Sequence, residues 1–160
     1  MTKAVCSGSF DPVTFGHLDI FERGAKIFDE LVVCIFHNVR KASFFTVEER
    51  AKLIKDATAH IKNITVDSFS GLIPDYMRKI KATTLLRGVR SVYDLEYEER
   101  EARMVSHLDK DIETVFLLTN PVYSHISSSA VRELAAFNRL PVGLAPENVI
   151  KAVEQKLIGK

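Results

Sequence analysis

Short apolar runs alternate along the chain with stretches in which apolar side chains recur every third or fourth position, the pattern of a parallel sheet covered by helices. Lys3 to Ser9, Leu31 to His37, Asn63 to Ser68, Thr83 to Arg87 and Glu113 to Thr119 read as strands. Between the first two, Leu18, Phe21, Ala25 and Phe28 share one face of a helix that opens near Gly16. Thr46 and Glu49 form a capping box ahead of Ala51, Leu53, Ile54 and Ala57, which predicts a second helix. A weaker helical pattern covers Pro74 to Lys81 and a charged one Tyr93 to Leu108. Ser127 to Asn138 and Pro146 to Ile158 are the last two, separated by Pro141 and Gly143. No linker, repeat or change of composition interrupts the series. The expectation is one α/β domain over residues 1–160, with a doubly wound, Rossmann-like, five-stranded parallel sheet and helices on both faces.

Composition narrows the function classes. With 46% hydrophobic and 27% charged residues in 160, the chain has the usage of a folded globular protein and not of a disordered one. Lys and Arg number 22 against 21 Asp and Glu, a net charge of +1, so no global field exists to hold a long polyanion and nucleic acid is not expected as a partner. No apolar run approaches the ~20 residues a membrane helix requires. The start carries no signal-peptide pattern, and the expected location is the cytoplasm. Cys6 and Cys34 lie within strand-like runs and form no CxxC pair, which favours core thiols over a disulfide or a zinc site.

In doubly wound sheets ligands sit beyond the carboxyl ends of the strands, where strand order reverses. The segments there are Gly8 to His17, His37 to Lys41, Phe69 to Gly71, Arg87 to Arg90 and Asn120 to Ser129. They gather Lys, Arg, His and Ser around a single carboxylate, Asp11, which points to a phosphate-bearing anion. Neither GxGxxG nor GxxxxGK[ST] occurs at the first turn, against dehydrogenase and P-loop readings. Gly16 would admit a ligand to the backbone, and helical geometry would swing His17 towards the same spot. The helix dipole there favours a neutral imidazole that still donates a hydrogen bond. A capping histidine is the plainer alternative. Lys41 stands beside Arg40 and ahead of Phe44 and Phe45. Arg87 and Arg90 flank Gly88, either aimed at one anion or paired with the acidic stretch Asp94 to Glu99. Ser127, Ser128 and Ser129 open a helix, three hydroxyls where one cap would suffice. No triad, metal-ligand spacing or carboxylate pair emerges. Donors without a base fit phosphoryl or nucleotidyl transfer in which the substrate brings its own nucleophile.

The sequences GSFDPVTFGH at Gly8 to His17, RGVR at Arg87 to Arg90 and ISSSAVR at Ile126 to Arg132 together resemble the nucleotidyltransferase superfamily. Within it they resemble the bacterial phosphopantetheine adenylyltransferase family. The likeness extends to FTVEER at Phe45 to Arg50, EYE at Glu96 to Glu98 and PENV at Pro146 to Val149. It implies adenylyl transfer from ATP to 4′-phosphopantetheine with Mg2+, giving dephospho-coenzyme A and pyrophosphate. By the resemblance His17, Lys41 and Arg90 are catalytic. Ser9, Phe10, His17, Gly88, Val89, Arg90, Glu98 and the run Tyr123, Ser124, His125, Ile126, Ser127, Ser128, Ser129 contact ATP. Ser9, Lys41, Ile73 and Arg87 contact phosphopantetheine. A homohexamer and feedback inhibition by coenzyme A are further implications. The chain departs from the family's pattern at Ser7, often Pro, at Cys6, often aromatic, and in Phe137 to Leu144, which lacks a Gly-Asp turn. A sister enzyme acting on another phosphate acceptor, and a module that binds ATP without turnover, stay open as alternatives at this point.

Overall fold

A computed structural model describes residues 1–36 and 42–159. Five strands, β1 (Lys3–Gly8), β2 (Glu30–Phe36), β3 (Ile64–Phe69), β4 (Thr84–Val89) and β5 (Glu113–Leu118), form one sheet in the order β3-β2-β1-β4-β5, every pairing parallel. Helices α1 (Phe15–Ile27), α2 (Val47–Thr58), α3 (Ile73–Ile80) and α4 (Val92–Leu108) are the crossovers, and α5 (Ser128–Ala136) and α6 (Glu147–Ile158) follow β5.

The alternation along the strands sorts side chains to two faces. Ala4 and Cys6 of β1, Leu31, Val33 and Ile35 of β2, and Leu86 of β4 meet Phe21 of α1, Ile54 of α2, Val131 of α5 and Val149 of α6. Val5, Val32, Cys34 and Leu85 point the other way, against Tyr76 and Met77 of α3 and Val105 of α4. Both layers are buried, which is why the central strands read as continuous apolar runs instead of alternating ones. Both cysteines are free and buried, as core thiols should be. Burial pushes each thiol up to about 12.

Local signals set the helix ends. The Thr46 hydroxyl accepts from the Glu49 amide while the Glu49 carboxylate accepts from the Thr46 amide, so α2 begins where the capping box predicts. Ser91 caps α4 through the Asp94 amide, and Lys81 in the left-handed region (φ 57°) ends α3. Strand order reverses between β1 and β4, and the crevice this leaves lies beyond Gly8 and Val89.

Candidate active site

A cleft of about 320 Å³ opens at that reversal, between the β1–α1 loop, the end of β4 and the start of α5. The loop is held by its carbonyls. Arg87 donates to the Ser7 carbonyl at 2.8 Å, Arg50 of α2 to that of Ser9 at 2.8 Å, Arg132 of α5 to that of Asp11 at 2.6 Å, and the Ser128 hydroxyl to that of Pro12 at 2.8 Å. Four side chains from three other elements thus fix peptide planes at the end of β1 and along the irregular turn that follows it, the preorganisation that a phosphate-binding turn requires. Phe10 sits in the left-handed region (φ 44°) with its ring packed edge-on to His17 and Phe21. Asp11, the one carboxylate that the strand-end segments supply, turns away from the cleft. It accepts the amides of Phe44 and Phe45 at 2.7 and 2.8 Å.

Thr14 is the N-cap of α1 and His17 its third helical residue, the place a glutamate takes in an ordinary capping box. The Thr14 amide donates to His17 Nδ1 at 3.1 Å. An amide can only donate, so Nδ1 is the bare nitrogen and the proton sits on Nε2. Burial, and secondarily the positive charge of Arg90, lower the imidazole to about 4. His17 is therefore both the capping histidine and a cleft residue: the cap fixes a neutral ring with one N–H to offer. The spacing between Thr14 and His17 is that of helix capping. Gly16 also lines the cleft, and an added Cβ there would meet only ordinary contacts, 3.7 Å to the nearest atom. Protein packing does not demand glycine at this position; close approach of a ligand would. The first-turn amides are not all available, because that of Phe15 donates to the Leu144 carbonyl.

Arg87 and Arg90 both reach the cleft, and both are paired with α4. Glu98 grips Arg87 through Nε and Nη2, the latter at 2.9 Å, and Asp94 grips Arg90 through Nε at 2.8 Å and Nη2 at 3.2 Å. The pairing with the acidic stretch is thus realised, and it leaves both guanidiniums in the cleft lining. Burial works against the Arg87 charge, but the hydrogen bonds and negative charge of Glu98, with smaller contributions from Cys6 and Glu101, together outweigh it and hold its pKa above the ordinary value. The cleft carries two carboxylates from α4 that the strand-end segments did not contain. Ser7 is an acceptor for Arg87 through its hydroxyl at 3.0 Å as well as its carbonyl.

Each of the three serines at the start of α5 has a different task. Ser127 caps the helix through the Ala130 amide, Ser128 ties Pro12, and Ser129 accepts from Arg132 at 3.2 Å. All three line the cleft, as do Ser9, Phe10, Gly88, Glu98 and Ile126. Val89, Tyr123, Ser124 and His125 lie outside the lining. Val89 and Ser124 border a neighbouring apolar groove along the start of α4, and Tyr123 stacks on Phe15. Ile73 opens α3 and packs with the second core layer. Lys41 lies outside the described residues. Thr119 lines the cleft without having been singled out, and so do Thr14 and Arg132, which stood only inside the quoted motifs, and Asp94, named only as a partner for the arginines. Arg132 was within reach of sequence reading, since a helix that opens at Ser128 puts it one turn along the same face as Ser129.

The cytidylyltransferase-like family model matches residues 5–134. A phosphopantetheine adenylyltransferase of Shouchella clausii (strain KSM-K16) is 46% identical over 155 residues, 97% of this chain and 98% of its own. Those of Clostridium botulinum strains Alaska E43 and Eklund 17B are 48% and 49% identical, over 98% and 96% of this chain and the same shares of their own. The chain belongs to the phosphopantetheine adenylyltransferase family. For a member of this family the cleft supplies hydrogen-bond donors in quantity, on His17, Arg87, Arg90, Arg132 and the Ser127 and Ser129 hydroxyls, while among the described lining residues His17 Nδ1 and the Asp94 and Glu98 carboxylates are already engaged, which leaves none placed as a general base. No group of three or more His, Cys, Asp or Glu side chains among the described residues could cage a metal ion. Its carboxylates, Asp94 and Glu98, are committed to arginines. The donor set fits a polyanion directly, and fits Mg2+ only as a companion of that polyanion's phosphates.

Proposed function

We propose that this chain transfers the adenylyl group of ATP to 4′-phosphopantetheine, releasing pyrophosphate and forming dephospho-coenzyme A, a step of coenzyme A synthesis. The observation that carries the reading is the convergence of His17, Arg90 and Ser127 to Ser129 on one cleft at the strand-order reversal of a chain with this family membership. The acceptor is a phosphate monoester, whose second pKa near 6 leaves it largely ionised at neutral pH, so no base is required.

In the reaction a phosphate oxygen of phosphopantetheine attacks the α-phosphorus of ATP. The bond to the α–β bridging oxygen breaks, and its electron pair leaves with pyrophosphate. His17 donates its Nε2 proton in a hydrogen bond to a non-bridging α-phosphoryl oxygen and, being neutral beforehand, is not neutralised by any carboxylate. Arg90, held across the cleft by Asp94 and by the Ile126 carbonyl at 3.0 Å, stabilises the same group. The Ser127 and Ser129 hydroxyls, which only accept within the protein, and the Ser128 and Ser129 amides at the start of α5 take the leaving phosphates. Glu98 and the backbone near Gly88 and Val89 flank the nucleotide, with Tyr123, Ser124, His125 and Ile126 beyond. On the acceptor side Ser9, Ile73 and Arg87 hold phosphopantetheine with Lys41, and Arg87 Nη2 keeps a second N–H for its phosphate. If Mg2+ is bound, the phosphates of the triphosphate would hold it and it would offset their charge, while the residues named above keep their roles.

No helix among the described residues is long and apolar enough to cross a membrane, and we place the protein in the cytoplasm with its family. We also propose a homohexamer: Val92, Tyr93, Tyr97 and Met104 on α4, with Leu118 at the end of the edge strand β5, leave a broad apolar surface exposed that further copies of the chain would cover. Coenzyme A, which shares the pantetheine arm, is proposed as a feedback inhibitor. Incubation of the protein with ATP, Mg2+ and 4′-phosphopantetheine should give dephospho-coenzyme A by mass. Saturable ATP binding with no such product, or transfer to a different phosphate acceptor only, overturns the reading.

A further inference from the structure

Arg50 is a charged side chain only 4% exposed, and it makes no ion pair among the described residues. Its donors go to two backbone carbonyls, Nε to that of Thr46 at 3.2 Å and Nη1 to that of Ser9 at 2.8 Å. Burying a guanidinium without a carboxylate is costly, and α2 already has its capping box at Thr46 and Glu49, so helix formation does not call for it. Ser9 lines the cleft, whereas α2 contributes nothing to the lining, so the bond to Arg50 draws the Ser9 carbonyl to the α2 side.

A peptide unit is planar, and in the trans form its C=O and N–H point in opposite directions. The only cis bond among the described residues is Asp11–Pro12, so the Ser9–Phe10 peptide is trans. With its carbonyl drawn to Arg50 on the α2 side, its N–H, that of Phe10, faces the other way. That N–H has no acceptor among the described residues, and Phe10 is held at a positive φ that a non-glycine residue adopts only when its surroundings impose it. We propose that Arg50 is a positioning residue for adenylyl transfer: by anchoring the Ser9 carbonyl it turns the Phe10 amide into the cleft as a preset donor to a nucleotide phosphate. This rests on the function proposed above. Arg50 touches neither substrate; it acts through one peptide plane, and its buried charge adds to the positive potential behind that plane.

The test compares the unaltered enzyme with Arg50→Met and Arg50→Lys, each checked by thermal melting to be folded at the assay temperature. A donor displaced by about 1 Å costs on the order of 10²-fold, so kcat of Arg50→Met should fall about 100-fold while both KM values stay within about threefold. Arg50→Lys, which can still reach one carbonyl, should recover about tenfold of that loss. A purely structural arginine predicts a lower melting temperature and an unchanged kcat per folded molecule. In the unaltered protein, 15N-labelled and titrated with inorganic pyrophosphate, the Phe10 amide resonance should move together with those of Ser128 and Ser129; this arm decides where the variants do not fold. A kcat for Arg50→Met within tenfold of the unaltered enzyme, or a Phe10 amide that stays still while Ser128 and Ser129 move, overturns the proposal. Absence of adenylyl transfer by the unaltered enzyme is a separate outcome, which removes the proposed function and this inference with it.

Discussion

Protonating His17 should be expensive in the folded protein, and the cost can be worked out. The imidazole drops from an ordinary 6.5 to about 4, through burial first and the Arg90 charge second, and its Nδ1 faces the Thr14 N–H, so an added proton there would set donor against donor. Above pH 6.5 the ring is neutral whether the chain is folded or not, and no stability depends on it. Between 6.5 and about 4 the unfolded chain takes up a proton that the folded chain refuses, so stability falls as pH falls and levels off below about 4. From pH 7 to pH 5 this single linkage amounts to about 2 kcal/mol. Urea denaturation at the two pH values, on the unaltered protein and on His17→Gln, isolates it, because the remaining histidines and carboxylates titrate alike in both. The unaltered protein should lose about 2 kcal/mol more than the variant over that interval. Equal losses, or a His17 ring that titrates near its ordinary value by NMR, would refute the capped, neutral imidazole.

Other substitutions probe the supports around it. In Gly88→Ala the new Cβ would lie 2.7 Å from Ile20 Cγ1, so the Ile20 side chain or the helix that carries it must give way; a loss of about 1–3 kcal/mol in urea is expected, with reduced turnover. Asp11→Ala strips the Phe44 and Phe45 amides of a charged acceptor and should cost about 3 kcal/mol by the same measurement, while Asp11→Asn keeps part of it. Glu98→Ala leaves the Arg87 guanidinium, 18% exposed, without its carboxylate, for an expected loss of about 3 kcal/mol that Glu98→Gln partly restores.

Most of the architecture was legible from apolar periodicity and caps. The five strands fall on the five apolar runs, and α2 starts at the capping box, because those features report directly which side chains face a core and which amides need partners. The place of the cleft was legible too, through the rule that ligands bind where parallel strand order reverses. What lay beyond sequence reading is where long side chains reach. The acidic residues of α4 could be paired with Arg87 and Arg90 as an alternative, but apart from Glu98, which the resemblance put at the ATP site, none could be placed inside the cleft, since that depends on how α4 crosses the end of β4. Asp11 looked like a rim carboxylate and instead ties the chain at Phe44 and Phe45. The carbonyl-directed bonds of Arg50 and Arg132 leave no periodic trace. For His17 and for the serines, a cap and a cleft residue had seemed to be competing readings, whereas a helix that opens onto a cleft makes one side chain serve as both.

The sharpest test is a pair of numbers for His17→Ala: turnover in the presence of ATP, Mg2+ and 4′-phosphopantetheine, and the dissociation constant for ATP by calorimetry. Loss of one preset donor predicts kcat lower by about 10²–10³ with ATP affinity within about threefold of the unaltered enzyme. Near-normal turnover, or a fall in ATP affinity large enough to explain the whole defect, would contradict a neutral histidine acting on the transferring phosphoryl group.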